Sequence, residues 1–246
     1  MKTYKEYTQV KNTTSSVNEG GNAIKMSVPV SESESIYVQN WLIDNLFDKL
    51  GLKEGTDFSF KVGSSNKKKE GSTYGDIDVL IHISPLTKQL QTDIDNLFST
   101  FEKYLQKEFK LKQDEISISK GFSQISIAVE TNKGNIAQVD LMMVPNIEFA
   151  QFLNYSPNFE ENESLYKGLY RNILLHSYIN TKEVKDIEKT EDGKLKRITK
   201  YYVSLTKGLS KHTKDYVSPK TGAIVKTGKV IDDEFISFDV DEISDI

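Results

Sequence analysis

The stretch Gly63-Ser64-Ser65-Asn66-Lys67-Lys68-Lys69-Glu70-Gly71-Ser72-Thr73-Tyr74-Gly75-Asp76-Ile77-Asp78-Val79-Leu80-Ile81-His82 decides the reading of this chain. Its second half has the period of a strand, with Ile77, Val79 and Ile81 on one side and Asp76 and Asp78 on the other. Two carboxylates forced onto one face repel unless a cation lies between them. A divalent ion that prefers hard oxygen ligands and bridges carboxylates to phosphates, Mg2+ or Mn2+ in its place, is the natural counterion. The first half is a glycine-serine turn that ends eleven residues before Asp76. At Gly63 the backbone can approach a phosphate chain closely, and the hydroxyls and amides of Ser64 and Ser65 can hold its oxygens. Lys67 and Lys68, followed by Lys69, are placed to neutralise such a chain; a solvated loop is the alternative for them.

A third carboxylate completes the pattern. In Gln138-Val139-Asp140-Leu141-Met142, Asp140 alternates with Val139 and Leu141 and so faces away from them. On a strand beside the Asp76–Asp78 pair it would allow two metal ions about 3.5–4 Å apart, which can activate a hydroxyl and stabilise a leaving pyrophosphate.

Outward from these segments, Ser31-Glu32-Ser33-Glu34 offers a capping box for a helix over roughly 34–50. Ile36, Ile43, Leu46, Phe47 and Leu50 form its apolar stripe, and Gly51 is suited to the left-handed position beyond its end. Phe58 to Val62 reads as a strand. Leu90, Ile94, Leu97, Phe98, Phe101 and Leu105 mark a long helix over roughly 87–108. Segments 117–119, 123–129 and 136–144 read as strands, with a turn at Asn132-Lys133-Gly134-Asn135 and a stop at Pro145. Ile147 to Leu153 reads as a helix, and a further helix runs up to about Ile179. The order predicts an α+β fold built on a mixed sheet.

The 246 residues suit one large domain or a medium domain with an appendage. There is no cysteine, which excludes disulfides, thiolate metal sites and cysteine nucleophiles, and three histidines make a histidine-based zinc site improbable. No apolar run is long enough to cross a membrane and Met1 to Gln9 lacks a signal-peptide core, so a soluble cytoplasmic protein (host-cell cytoplasm if phage-encoded) is expected. The net charge is only −4, but its distribution is uneven. Residues 182–229 carry 13 basic and 6 acidic side chains, and residues 231–246 carry 7 acidic and no basic ones. A lysine-rich stretch suits a phosphate backbone better than base edges, and the acidic tail can fold back over it.

The Gly63-Ser64 turn, the Asp76-Ile77-Asp78 strand and the later Asp140 resemble the signature of the DNA polymerase β-like nucleotidyltransferase superfamily, over roughly residues 34–145. With Gly20-Gly21-Asn22 and Tyr166-Lys167-Gly168-Leu169-Tyr170-Arg171-Asn172, the chain also resembles nucleotidyltransferase-like proteins of tailed bacteriophages. The resemblance implies that Asp76 and Asp78 bind metal, that Asp140 binds metal or helps deprotonate a hydroxyl, and that Gly63 and Ser64 grip a nucleoside triphosphate, ATP among the candidates. It implies a polymerase β-like core in which nucleoside monophosphate passes to a hydroxyl acceptor and pyrophosphate leaves. Lys167 and Arg171, four apart on a helix, can reach nucleotide phosphates or an acceptor backbone; a solvated helix face is the alternative.

The expected organisation is an extended arm (1–30), a catalytic domain (31–146), a helical and β-rich region (147–230) and a loosely ordered acidic tail (231–246). The acceptor hydroxyl can belong to an RNA 3′ end, another nucleotide or a protein, with RNA slightly favoured because the basic stretch offers a backbone track. Two other functions fit the same residues: a non-catalytic nucleotide- or nucleic-acid-binding module retaining the fold, and a tRNA-modifying toxin-type nucleotidyltransferase.

Overall fold

Odd-numbered apolar residues on two neighbouring strands, Ile77–Ile81 and Val139–Met143, lie at the centre of the hydrophobic core, and the acidic residues Asp78 and Asp140 alternate with them. The computed structural model describes residues 23–62, 73–120, 123–154, 175–179 and 187–244. The main sheet has five strands in the order β2-β4-β7-β6-β5. They are β2 (Phe58–Ser59), β4 (Ile77–His82), β5 (Ile116–Ser119), β6 (Gln124–Glu130) and β7 (Ile136–Val144). β4 and β7 are parallel, while β2 is antiparallel to β4, β6 to β7 and β5 to β6. The α+β class and the mixed sheet are as the sequence predicts.

Helices cover one face of this sheet. Ile77, Val79 and Ile81 of β4 and Val139, Leu141 and Met143 of β7 are buried there. They pack in one cluster with Val38 and Leu42 of α1 (Glu32–Leu42), Leu86 of α2 (Ile83–Leu90) and Phe101 and Leu105 of α3 (Leu97–Phe109). Each such side chain taken from water stabilises the fold by about 1.5–3 kcal/mol. Phe47 stacks on Phe58 and ties the end of the first helix to the sheet edge.

The opposite face is divided along the strands. Leu80, Met142 and Val144 form a small apolar cluster there with Val62, Ile147 and Ala150. The residues before them on that face are Asp78, Gln138 and Asp140.

The first helix starts where expected, with Ser31 as N-cap and the Glu34 carboxylate accepting the Ser31 amide at 3.1 Å. Its α-helical part stops at Leu42, and Ile43–Phe47 forms a π turn that moves Leu46 and Phe47 under the sheet. Ile36, read as a core position, is 51 % exposed; Val38 and Leu42 do that work instead. Gly51 has φ +64°, the left-handed turn that closes this segment. The Phe58–Val62 strand shrinks to two residues, although Phe58, Phe60 and Val62 are all buried.

The single helix expected over 87–108 is two helices. Gln91 adopts φ +51° and ends α2, and Asp93 accepts the Asn96 amide at 2.8 Å just before α3. Asp93 favours such a local bond over helix continuation, and the Thr92 hydroxyl pairs with that of Thr100 in α3 at 3.2 Å, so Ile94 ends up 68 % exposed.

The arm expected over residues 1–30 is not an arm over residues 24–30. Ile24 and Val30 are each 1 % exposed, and the Val28 amide donates to the Ile136 carbonyl of β7 at 2.9 Å. Val30 and Ser31 (β1) pair with Tyr74 and Thr73 (β3), which fixes the chain just ahead of Asp76.

Beyond Pro145, α4 (Ile147–Leu153) is capped by the Asn146 side chain, which accepts the Phe149 amide. Phe149 and Leu153 pack with Val203, Leu209, Ile179 and Ile243 against an antiparallel sheet. That sheet comprises β8 (Glu188–Lys189), β9 (Leu195–Ser204), β10 (Gly208–Val217) and β11 (Ile224–Ser237), in the order β11-β10-β9-β8. β9, β10 and β11 are far longer than the short pieces the sequence suggests. The acidic stretch after Ile231, expected to be loosely ordered, begins inside β11 and continues into α5 (Asp241–Ser244), where Ile243 is buried. The expected boundary between 230 and 231 therefore falls within a strand.

Candidate metal centre

Parallel pairing sets Asp78 directly opposite Asp140. Their odd-numbered neighbours are drawn into the helix-covered core, so both carboxylates emerge on the other face. Asp76 lies one residue before β4 rather than within it, where the β1–β3 pairing holds the incoming chain. One carboxylate oxygen from each of Asp76, Asp78 and Asp140 lies within 4.8 Å of the others. Asp140 is buried, while Asp76 and Asp78 are partly exposed.

Burial raises the Asp140 pKa above the ordinary carboxylate value. Hydrogen bonds from Ser126, Gln138 and Gln124 oppose the rise, and the Asp76 charge adds to it. Gln138 donates from Nε2 to Asp140 Oδ1 at 2.9 Å, and Gln124 donates from Nε2 to Ser126 Oγ at 3.0 Å. Ser126 faces Asp140 across the β6–β7 pair. Among the described residues the groups that act on this carboxylate, withdrawn from water beside two others, are neutral donors and a second acid, with no cation to offset its burial. Three hard oxygen donors at this spacing fit Mg2+ or Mn2+, and these three residues would hold it.

Gln124, Ser126 and Gln138 escape a reading of the sequence for charged groups. Their signal is the short polar alternation Gln124–Ser126 on β6 and Gln138–Asp140 on β7, on the face where the carboxylates emerge.

Of the other expected site residues, Gly63, Ser64, Ser65, Lys67 and Lys68 lie outside the described residues, as do Gly20-Gly21-Asn22, Lys167 and Arg171 with Tyr166 and Tyr170.

A second constellation has the residue types of a nucleophilic relay but not its wiring. Ser210 Oγ lies 3.0 Å from His212 Nε2 and Asp233 Oδ1 lies 2.8 Å from the same nitrogen. A relay needs the two partners on opposite ring nitrogens, so this imidazole does not link acid to hydroxyl. Asp233 also pairs with Lys207, and Glu234 with Lys211 at 3.8 Å. The acidic segment thus neutralises its neighbour strand through cross-strand pairs.

Among the described residues, no helix is long and apolar enough to cross a membrane. Compared with protein-family models and with curated proteins, the chain matches none.

Proposed function

We propose that this chain is a magnesium-dependent nucleotidyltransferase, moving a nucleoside monophosphate from a nucleoside triphosphate to a hydroxyl acceptor with release of pyrophosphate. The observation that carries the reading is the meeting of Asp76, Asp78 and Asp140 from two separate stretches of chain on one face of a mixed sheet. A parallel strand pair bearing the acids, an antiparallel neighbour and helices on the far face support a polymerase β-like core, as does the resemblance at Gly63-Ser64 and Asp76-Ile77-Asp78.

Bound divalent ions would supply charge neutralisation at the triphosphate and a lowered pKa for the attacking hydroxyl. The chain's own part is to orient. Asp78 and Asp140 are fixed by strand pairing and Asp76 by the β1–β3 ladder, so the anionic cluster is held in place before substrate arrives. Ser126, Gln138 and Gln124 donate to the buried Asp140 and steady its orientation.

RNA is the favoured acceptor. The β9–β10 register sets Lys196, Lys200 and Lys214 on one face with Tyr202 and His212, a pattern suited to a phosphodiester backbone. The test is to incubate the protein with total cellular RNA, Mg2+ and each α-labelled triphosphate in turn. Label in RNA that disappears in Asp78→Asn is expected. Mn2+ binding with no label transferred from any triphosphate would instead identify a binding module.

A further inference from the structure

We infer that Gln138 is the positioning residue of the metal centre, and that the segment around Ile24 is what holds it there. This rests on the reading of Asp76, Asp78 and Asp140 as metal ligands. Gln138 is 2 % exposed, so its amide must find partners inside the protein. It has one at each end. Oε1 accepts the Ile24 amide at 3.0 Å, and Nε2 donates to Asp140 Oδ1 at 2.9 Å. The chemistry of the partners fixes the orientation of the amide. Turned over, it would set its carbonyl oxygen against a carboxylate and its NH2 against a backbone N–H, losing both bonds.

Ile24 is itself anchored. It is 1 % exposed, its carbonyl accepts from Ser27 Oγ at 2.8 Å, and four residues on the Val28 amide joins β7 at Ile136. A segment 114 residues away in sequence therefore sets the side chain that sets the most buried carboxylate of the triad. Because Gln138 and Asp140 share a face of β7, the bond between them restricts the Asp140 rotamer without drawing on Asp76 or Asp78. A glutamine suits this role better than a cationic side chain, since it holds the carboxylate while leaving its negative charge for a metal.

The test uses Mn2+ alone as probe, titrated into the 246-residue chain and followed by electron paramagnetic resonance. Melting temperature serves as the check on folding. Gln138→Met, which keeps length and loses both hydrogen bonds, should weaken Mn2+ binding about 10- to 100-fold. In the transfer assay it should raise the metal concentration for half-maximal rate by a similar factor, with most of the rate recovered at saturating Mn2+. Gln138→Asn keeps the amide but is one methylene too short to reach both partners. It should shift affinity in the same direction, and it serves as the test if Gln138→Met does not fold. Wild-type Mn2+ affinity in both variants, while Asp140→Asn loses binding, would overturn the positioning role and leave the metal centre standing. A folded variant whose rate falls equally at all metal concentrations would also overturn it. No Mn2+ binding by the wild-type protein would sink the metal centre and this inference together.

Discussion

Asp78 and Asp140 face each other across a parallel strand pair, 62 positions apart in the chain and direct partners in register. Parallel strands need a long crossover, and here α2, α3, β5 and β6 supply it.

Asp76→Asn and Asp78→Asn each remove one negative charge from the cluster without changing side-chain size. Both variants should fold normally and lose at least about 10²–10³-fold of transfer activity, the loss typical of removing one preorganised electrostatic group. Pyrophosphate release from each triphosphate measures it. Undiminished release in both variants would refute the assignment.

Asp140 carries a linked prediction for stability. Its pKa in the folded protein is raised, chiefly by burial, so its contribution to stability is intact below the ordinary carboxylate range near 3.8 and is lost as pH rises through the folded value. Asp140→Asn removes that destabilising ionisation. In EDTA at neutral pH the variant should therefore melt a few degrees above wild type, and the gap should close as pH falls. Saturating Mn2+ should reverse the order, because only wild type retains the ligand. Calorimetry with and without metal checks both signs.

Glu34 behaves in the opposite sense. Its carboxylate is held at about 2, first by the hydrogen bond from the Ser31 hydroxyl and then by that from Asn135. Asn135 and Thr131 donate to it at 2.6 and 3.0 Å, so it ties the start of α1 to the β6–β7 turn. The stability it contributes is present above the ordinary value of 4.5 and is lost as pH falls toward about 2. Glu34→Gln should lower the melting temperature at pH 7, and its difference from wild type should narrow across that acid window. A constant difference at every pH would show that ionisation plays no part.

Gly208 opens β10 at φ +60°, and a Cβ there would stand 2.4 Å from the Ser237 carbonyl oxygen and 2.7 Å from the Phe238 ring. Gly208→Ala should cost about 1–3 kcal/mol in urea unfolding, from backbone strain and the clash together. Metal affinity of the triad should stay within twofold of wild type, because neither β10 nor β11 supplies a carboxylate to it.

The cross-strand acids suggest how the basic stretch is controlled. Asp233 pairs with Lys207 and His212, and Glu234 with Lys211. Replacing both acids by their amides should increase affinity for single-stranded RNA at low salt. The slope of log affinity against log salt should steepen by about one for each lysine that gains a phosphate. Fluorescence anisotropy across a salt series reads this directly, and an unchanged slope would argue against a nucleic-acid role for this sheet.

Much of the site can be read from local pattern alone. Alternation around Asp78 and Asp140 is a property of any extended strand with one buried face, so the side on which each carboxylate emerges follows from Ile77, Val79, Val139 and Leu141 without reference to the rest of the chain. The caps at Ser31 and Asn146 and the turn at Asn132-Lys133-Gly134-Asn135 are equally local, since side-chain and backbone groups a few residues apart satisfy one another. Where local signals compete, the sequence misleads. The spacing of Leu90, Ile94 and Leu97 suits one helix, yet Gln91 turns left-handed and Asp93 bonds the Asn96 amide, which breaks it in two. The acidic residues after Ile231 look like a solvated tail, yet Asp233 and Glu234 lie within β11 and pair with Lys207 and Lys211, more than twenty positions earlier.

The sequence by itself determined which residues carry charge on which face of each strand, because strand geometry assigns a face to every second side chain. Only the tertiary structure decided that β4 and β7 are neighbours, that their register aligns Asp78 with Asp140, and that Ile24 reaches across 114 positions to Gln138. Those relations depend on how several apolar faces are buried together and on which buried polar groups must find partners. Neither is encoded in the spacing of any one segment.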